Sequence, residues 1–483
     1  MVTQQQSAKM FDAAVAHCDA EQWSDALALL DTLIGQHPAI AELYSNRGRA
    51  LLGLGLCEEA ERAFERAVRL GPGNAAMRNI IGVALQKAGS SDAALAHYDA
   101  AIAIDPALAF AHFNRATIVE IKGLLRDAAA SYENAIKFRP AYIEAISNLG
   151  VLRHEMQDFD GAIAAFDCAI ALQPRNCDLY CNRAFTRLLT GNYEKGFRDY
   201  AWRLPKLKDA APVMSAPIWK GEPLAGKTIL LHAEQGLGDC IQFSRYALAL
   251  KAQGAKVILS VPEKMTRLFG RLGHGIAVVA SGGKTDCDYE CLLMNLPGIM
   301  GVPAGQNISG YLAAETDLVQ AWAARIGGHG YRVGIAWEGD EPSGHPRRIP
   351  LAAFGPLAGL PGVRLISLQK FKGEEQIDQV GADFAVERLD GLDESGDAFV
   401  DTAAAMASLD LVITSDTSIA HLAGALGHPV WIGLRQVPDW RWRMGASGTP
   451  WYPTARLFRQ RQRGDWNAVM DDMAKQLKPM LPD

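Results

Sequence analysis

Ala128-Ala-Ala-Ser-Tyr132-Glu-Asn-Ala135-Ile-Lys-Phe-Arg-Pro140 decides how the first two-fifths of this chain is read. It holds a small residue, an apolar ring four places on, another alanine three further, and a proline after five more. The pattern recurs every 34 residues. Its first alanine returns as Ala26, Ala60, Ala94 and Ala162, and its ring position as Leu30, Phe64, Tyr98 and Phe166. The third position returns as Leu33, Ala67, Ala101 and Ala169, and the proline as Pro38, Pro72, Pro106 and Pro174. A second small-residue ladder runs through Ala14, Gly48, Gly82, Ala116, Gly150 and Ala184. The spacings predict a helix, a turn and a second helix per repeat. Small residues let the helices approach, the ring fills the gap between neighbouring repeats, and proline ends the second helix. Gly55, Gly89, Gly123 and Gly191 fall at the turn, where positive φ or close approach is needed.

A 34-residue helix pair is the period of tetratricopeptide (TPR) repeats, in which no single unit buries its apolar face alone. Five repeats cover roughly residues 7–174. A sixth, at about 177–204, keeps Tyr180, Ala184, Gly191 and Tyr200 but lacks the closing alanine and proline. It reads as a cap docked on the following domain, placed to set where a bound polypeptide meets it. Asn46, Asn114, Asn148 and Asn182 share one position of the first helix, interrupted by Ile80. They read either as bidentate partners for an extended peptide backbone or as a common repeat residue.

Composition narrows the function. Hydrophobic residues make up 49% and charged residues 21% of the 483, an ordinary globular mix, and a net charge of −6 argues against a nucleic-acid binder. No apolar run reaches membrane-spanning length, and the start of the chain lacks a signal-peptide core, so a cytoplasmic location is expected. The eight cysteines are scattered, and Cys57 and Cys168 are expected at helix-core positions, as buried thiols in a reducing compartment. Cys177/Cys181 and Cys287/Cys291 lack histidine partners at zinc spacing.

After Arg203 the pattern changes. Pro205, Pro212, Pro217 and Pro223 mark a linker, and strands then alternate with helices. Thr228–His232, Lys256–Val261, 276–279 and 289–293 are the strands of one parallel lobe; 332–337, 364–368, 411–414 and Val430–Leu434 are those of a second. The expected division is a TPR superhelix over 1–204, an acceptor-side lobe over 205–328, and a donor-side lobe over 329–483 whose last helix, near 466–477, crosses back.

Four motifs lie in these lobes. Gly236-Leu-Gly-Asp239 follows the first strand and opens a helix; Ile241 stands where a dinucleotide fingerprint needs glycine, so NAD is disfavoured. Asp239 reads as a general base facing the interlobe cleft or as the helix cap. Ser415-Asp416-Thr417-Ser418-Ile-Ala-His421 places hydroxyls and amides at a helix start suited to phosphate, with capping as the plainer reading and His421 either touching the ligand or packing. Trp337-Glu-Gly-Asp340 through His345-Pro-Arg347-Arg348 offers arginines to neutralise a leaving diphosphate, or a solvated loop. Pro438-Asp-Trp-Arg-Trp442 reads as a stacking surface for a base or sugar, or as packing. Asp286-Cys-Asp288 has the form of a metal-holding D-x-D pair but stands apart from these motifs, so no metal is expected.

Glu234-Gln-Gly-Leu-Gly-Asp-Cys-Ile-Gln-Phe-Ser-Arg-Tyr246, Asn295-Leu-Pro297, Asp401-Thr-Ala403, Asp416-Thr-Ser-Ile-Ala-His421 and Pro438-Asp-Trp-Arg-Trp442 together resemble bacterial TPR proteins with a C-terminal glycosyltransferase domain. That domain is similar to the ADP-heptose:lipopolysaccharide heptosyltransferases, inverting enzymes of the two-lobed GT-B fold. The layout also resembles flagellin glycosyltransferases and, with a different catalytic family, the O-GlcNAc transferases. The resemblance implies Asp239 as base and Gly236, Gly238, Arg347, Arg348, Asp416, Thr417, Ser418 and His421 around the donor. Ser418 replaces the usual glycine or alanine, and Asn295 a frequent serine. It implies a metal-independent protein O-glycosyltransferase with a nucleotide-sugar as co-substrate and no cofactor, acting on a polypeptide such as flagellin. A lipid-linked or polysaccharide acceptor, and a non-catalytic adaptor with a degenerate GT-B domain, remain the alternative readings.

Overall fold

The computed structural model describes residues 4–207, 212, 214–273, 275–305, 308, 310–339 and 347–482. The chain divides into two compact units, Met1–Leu179 and Tyr180–Asp483.

The first unit is five helix pairs: Gln4–Asp19 with Trp23–Gln36, Ala41–Gly53 with Cys57–Leu70, Ala75–Lys87 with Ser91–Ile104, Ala109–Ile121 with Leu125–Phe138, and Ile143–Glu155 with Phe159–Leu172. Each repeating proline lies two residues past the second helix. The residue between, from His37 to Gln173, is swung out of the helical region (φ −130 to −137, ψ 64 to 94), as the steric clash with a following proline ring demands. The ladder alanines of the second helix are fully buried. The aromatic ring seats first on its own repeat: a Cβ on Gly48, Gly82 or Gly150 would stand 2.4, 2.5 or 2.7 Å from Phe64, Tyr98 or Phe166. Tyr98 and Tyr132 then spend their hydroxyls on Gln86 and Glu120 of the same pair, both at 2.8 Å. The glycine ladder is thus the imprint of the ring ladder.

The turn between paired helices is left-handed at Gly55, Gly89 and Gly123. In the first and fifth repeats the equivalent residues are Glu21 (φ 58) and Gln157 (φ 64), which carry a side chain into the same conformation. Cys57 and Cys168 correct the expectation of buried thiols. Both are exposed, because Cys57 opens its helix and Cys168 lies off the buried Ala162–Phe166–Ala169 stripe. Cys18, Cys181, Cys240 and Cys291 are the buried ones, and all eight are free thiols.

The sixth pair, whose first helix Cys177–Leu189 starts just before the second unit, leads into that unit's two parallel sheets. Its second helix, Tyr193–Tyr200, is shorter than the fourteen-residue helices before it and tightens into a 3-10 turn, Ala201–Arg203. β1 (Thr228–His232), β2 (Lys256–Val261), β3 (Ala277–Ala280) and β4 (Tyr289–Leu292) form a sheet in the order β3-β2-β1-β4. β5 (Tyr331–Ala336), β6 (Val363–Ser367), β7 (Leu411–Ser415), β8 (Val430–Leu434) and β9 (Ala455–Arg459) form the other, in the order β6-β5-β7-β8-β9. Strand β9 is absent from the sequence reading, since Ala-Arg-Leu-Phe-Arg has no alternation that marks it. The final helix, Trp466–Leu477, buries its apolar face in the second sheet's core beside Phe354, Leu357 and Phe458. The proline-bearing segment after Arg203 is not a free tether throughout. Ile218 bridges to Glu290, and Glu290 Oε1 accepts the amides of Ser215 and Ala216 at 2.8 and 2.7 Å.

Exchanging side chains at the turn position tests the ladder with opposite signs. Gln157→Gly is expected to stabilise the chain by about 0.5 kcal/mol, and Gly123→Ala to destabilise it by about 1 kcal/mol. Urea denaturation followed by helical signal measures both.

Candidate functional site

Connections leave a parallel sheet in opposite directions at its switch point, and the crevice outside the strand carboxyl ends opens there. In the first sheet that point lies between β1 and β4, in the second between β5 and β7. The loops at these points carry most of the motifs singled out above.

Asp239 is the third residue of the helix Leu237–Ala252, whose cap is Gly236. Its Oδ2 accepts the Gly236 amide at 3.2 Å, so it closes the first turn from within rather than capping it. Its Oδ1 accepts Arg441 Nη2 at 2.5 Å. Arg441 is the hub of the site: Nε donates to Gln242 Oε1 at 2.9 Å, Nη1 donates to Asp439 Oδ1 at 2.8 Å, and its guanidinium lies 4.6 Å from the Trp440 ring centre. Its side chain is 10% exposed. Burial works against its charge, and Asp439 and Asp239 outweigh that cost. Burial likewise raises Asp439, yet Arg441 and Arg347 hold it below the ordinary carboxylate range.

On the second sheet, Asp416 and Thr417 follow β7 and open the helix Ser418–Leu426. Burial drives Asp416 up; Arg347 Nη1, 3.5 Å from its Oδ2, opposes the rise and Asp439 adds to it. Thr417 is the N-cap residue by position, but its hydroxyl pairs with Thr414 Oγ1 at 3.1 Å and makes no capping bond. Ser415 Oγ is buried without a partner among the described residues. Arg347 reaches Asp416, whereas Arg348 is exposed. Asp340 and His345 lie outside the described residues.

The two helix starts touch. A Cβ on Gly238 would meet His421 Cδ2 at 3.0 Å and Ser418 Oγ at 3.3 Å. His421 packs: it is buried, its Nδ1 bonds Tyr452 Oη at 2.9 Å, and its ring stacks on Trp442 at 5.3 Å. Burial and then Arg441 and Arg245 hold it well below the ordinary histidine range, so the ring is neutral at pH 7. The structure therefore brings together Gly236, Gly238, Asp239, Arg347, Asp416, Thr417, Ser418 and His421 around Arg441, which the sequence offered only as a stacking group.

Two participants carried no sequence signal for this place. Tyr200 bonds Gln235 at 3.1 Å, and burial pushes its hydroxyl up to about 12. Arg203 reaches Glu234 at 2.6 Å. Both come from the sixth helix pair. The asparagine ladder is used in mixed ways: Asn46 is buried and its amide donates to its own helix at Glu42 O, 3.0 Å; Asn114 donates to Asn79, 2.9 Å; Asn148 donates to Tyr132 Oη, 3.3 Å. Asn182 gives its backbone carbonyl to Thr186. Asp288 of the D-x-D pair accepts the Thr228 amide at 2.8 Å and Lys227 Nζ at 3.2 Å, a strand-end tie.

Comparison with known proteins places repeats in the first unit: the tetratricopeptide repeat family matches residues 11–56 and 45–109. Protein FlbA of Caulobacter vibrioides is 25% identical over 499 residues, spanning 96% of this chain and 83% of that protein, so the likeness runs through the sheet-bearing unit. The probable UDP-N-acetylglucosamine–peptide N-acetylglucosaminyltransferase SPINDLY of Hordeum vulgare is 28% identical over 160 residues, 32% of this chain and 17% of its own length. Among solved structures, MamA aligns with a TM-score of 0.32 at 19% identity, covering 34% of this chain and 95% of that one.

Removing the hub's charge strands two carboxylates. Arg441→Met is expected to cost roughly 3–5 kcal/mol in urea unfolding, with Asp439→Asn recovering part of it in the double variant. The depressed histidines give a pH dependence. Their stabilising contribution is present above the unfolded value of 6.5 and is lost as pH falls. His428, lowered to about 4 by burial, acts in the same sense, and Asp416, raised, in the opposite one. His421→Gln is therefore expected to flatten, without abolishing, the loss of unfolding free energy between pH 7 and pH 5.

Proposed function

We propose that the second unit is a GT-B glycosyltransferase that moves a sugar from a nucleotide-sugar to a Ser or Thr hydroxyl of a polypeptide held by the repeats, in the cytoplasm, with flagellin among the candidate acceptors. The observation that carries this reading is the meeting of Asp239, at the first sheet's switch point, with Arg441, whose other side holds Asp439 at 2.8 Å. In this reading Asp239 takes the proton of the acceptor hydroxyl. The freed oxygen attacks the anomeric carbon from the face opposite the nucleotide, the bond to the diphosphate breaks, and the configuration inverts. The leaving diphosphate is received by Arg347, Arg348 and the amides at Thr417 and Ser418, with no metal assigned a part. Arg441 Nη2 holds Asp239 Oδ1 at 2.5 Å, so in this reading the incoming diphosphate draws the guanidinium away before the carboxylate meets the acceptor hydroxyl. The peptide glycosyl transfer in the barley protein's name supports the class of reaction, and the likeness to protein FlbA over 96% of this chain supports reading repeats and sheets as one working layout.

A second reading, a non-catalytic adaptor, is favoured by one observation: Gly238 lies directly on Ser418 and His421. Calorimetry and thermal shift with UDP-, GDP- and ADP-sugars separate the two. The transferase reading expects one of them at a hundredfold excess over its dissociation constant to add about 2.7 kcal/mol of stability. It further expects Asp239→Asn to keep that binding while losing transfer by roughly 10²–10⁴-fold. Absence of binding to any of them would leave the adaptor; undiminished transfer by the variant would remove Asp239 from the base role.

A further inference from the structure

We propose that Arg203, at the end of the sixth helix pair, is a positioning residue that sets the loop carrying Asp239. The proposal rests on the transferase reading for its kinetic consequence, and on geometry alone for the positioning itself. Arg203 is 5% exposed. Its Nη2 donates both to Glu234 Oε1 at 2.6 Å and to Asn295 Oδ1 at 2.8 Å, and Glu234 Oε1 also accepts the Met294 amide at 3.2 Å. Glu234 leaves β1 and Met294 and Asn295 leave β4, so one guanidinium ties both sides of the first sheet's switch point. The next residue, Gln235, stands in the left-handed region (φ 64), a conformation that persists for a side-chain-bearing residue when its surroundings impose it. Those surroundings are Tyr200, whose hydroxyl meets the Gln235 side chain at 3.1 Å and whose ring lies 4.6 Å from the Arg203 guanidinium. Tyr200 and Arg203 thus fix consecutive residues of the loop, four and five places before Asp239.

A pair built for stability would spend every polar atom. Here Arg203 Nε and Glu234 Oε2 are buried without partners among the described residues, and a buried ion pair of that kind is a poor source of net stability but a strict one of geometry. The sixth unit's departure from the repeat serves the same end. Its second helix stops at Tyr200, and the tightened turn Ala201–Arg203 delivers the arginine to the sheet.

The test uses the full chain, comparing wild type with Arg203→Ala, Arg203→Lys and Tyr200→Phe by hydrogen–deuterium exchange, nucleotide-sugar binding and kinetics. In Arg203→Ala, exchange over 234–239 and 293–297 is expected to rise while β5 and β7 keep their protection. The value of kcat is expected to fall about 100-fold, as for a misplaced reacting group, with KM for the nucleotide-sugar little changed. Free guanidinium is expected to restore protection and turnover in part, and lysine to restore less. Unchanged exchange over 234–239 overturns the proposal, as does loss of protection spread equally through both sheets. If the wild type transfers no sugar, the transferase reading fails, and the exchange pattern with its guanidinium rescue still decides the role of Arg203.

Discussion

The buried guanidinium of Arg441 is the constraint around which the second unit is arranged. A cation taken out of water is costly unless every donor is met, and its attraction to a carboxylate grows as solvent is excluded. Arg441 comes from the loop after β8, but two of its partners, Asp239 and Gln242, sit on the first sheet's helix. The charge is therefore satisfied only when both sheets stand in register. Gly238 allows this, since a side chain there would hold the two helix starts apart by pressing on Ser418 and His421. Arg245, one turn further along the same helix, repeats the device with neutral partners: it donates to the carbonyl of Trp451 and to Tyr311 Oη, with Tyr452 under its guanidinium at 4.4 Å. Two arginines on or against one helix thus carry much of the specificity with which the sheets join.

The repeats obey a different logic, in which each pair is finished locally and stacking adds the rest. A ring presses on a glycine of its own pair, and the proline clash turns the chain toward the next pair. That locality is why the period was legible. Every 34-residue step repeats the same steric demands, so the same residue types return at the same offsets. The left-handed turns at Glu21 and Gln157 were not legible, because the demand there is on backbone angle and a polar side chain can meet it at some cost. The exposed Cys57 and Cys168 were misread for the converse reason: a thiol's apolar character says little about which face of a helix it occupies.

In the second unit the strand cores were legible as short apolar runs, and the motifs singled out fall in the loops after them. What the chain order concealed was partnership. Asp239 and Arg441 lie 202 positions apart, and Arg203 and Asn295 lie 92 apart. No local pattern announces which charge meets which across such a span. Arg441 was visible only as part of an aromatic motif, and Arg203 only as the end of a failing repeat. Strand β9 escaped because its two arginines break the apolar run expected of a parallel strand, and it is an edge strand, at the end of the sheet order.

Electrostatics then gives the site a direction. Asp416 is raised by burial while Asp439 is held down, so two nearby carboxylates are pushed toward different protonation states by their surroundings. Divergence of this kind arises where buried charges crowd together, in structural ion-pair networks and in ligand sites alike. Arg441 and Arg347 are the cations that set it, and His421, kept neutral between Trp442 and Tyr452, adds none. An anion entering here would meet arginines whose present partners are acids of this chain. Its binding would therefore be an exchange of one carboxylate contact for another negative group, with the Coulombic gain of the new contact offset by the loss of the old. The same exchange would loosen Asp239 from Arg441. In this arrangement the carboxylates of Asp239 and Asp439 are coupled through a single guanidinium.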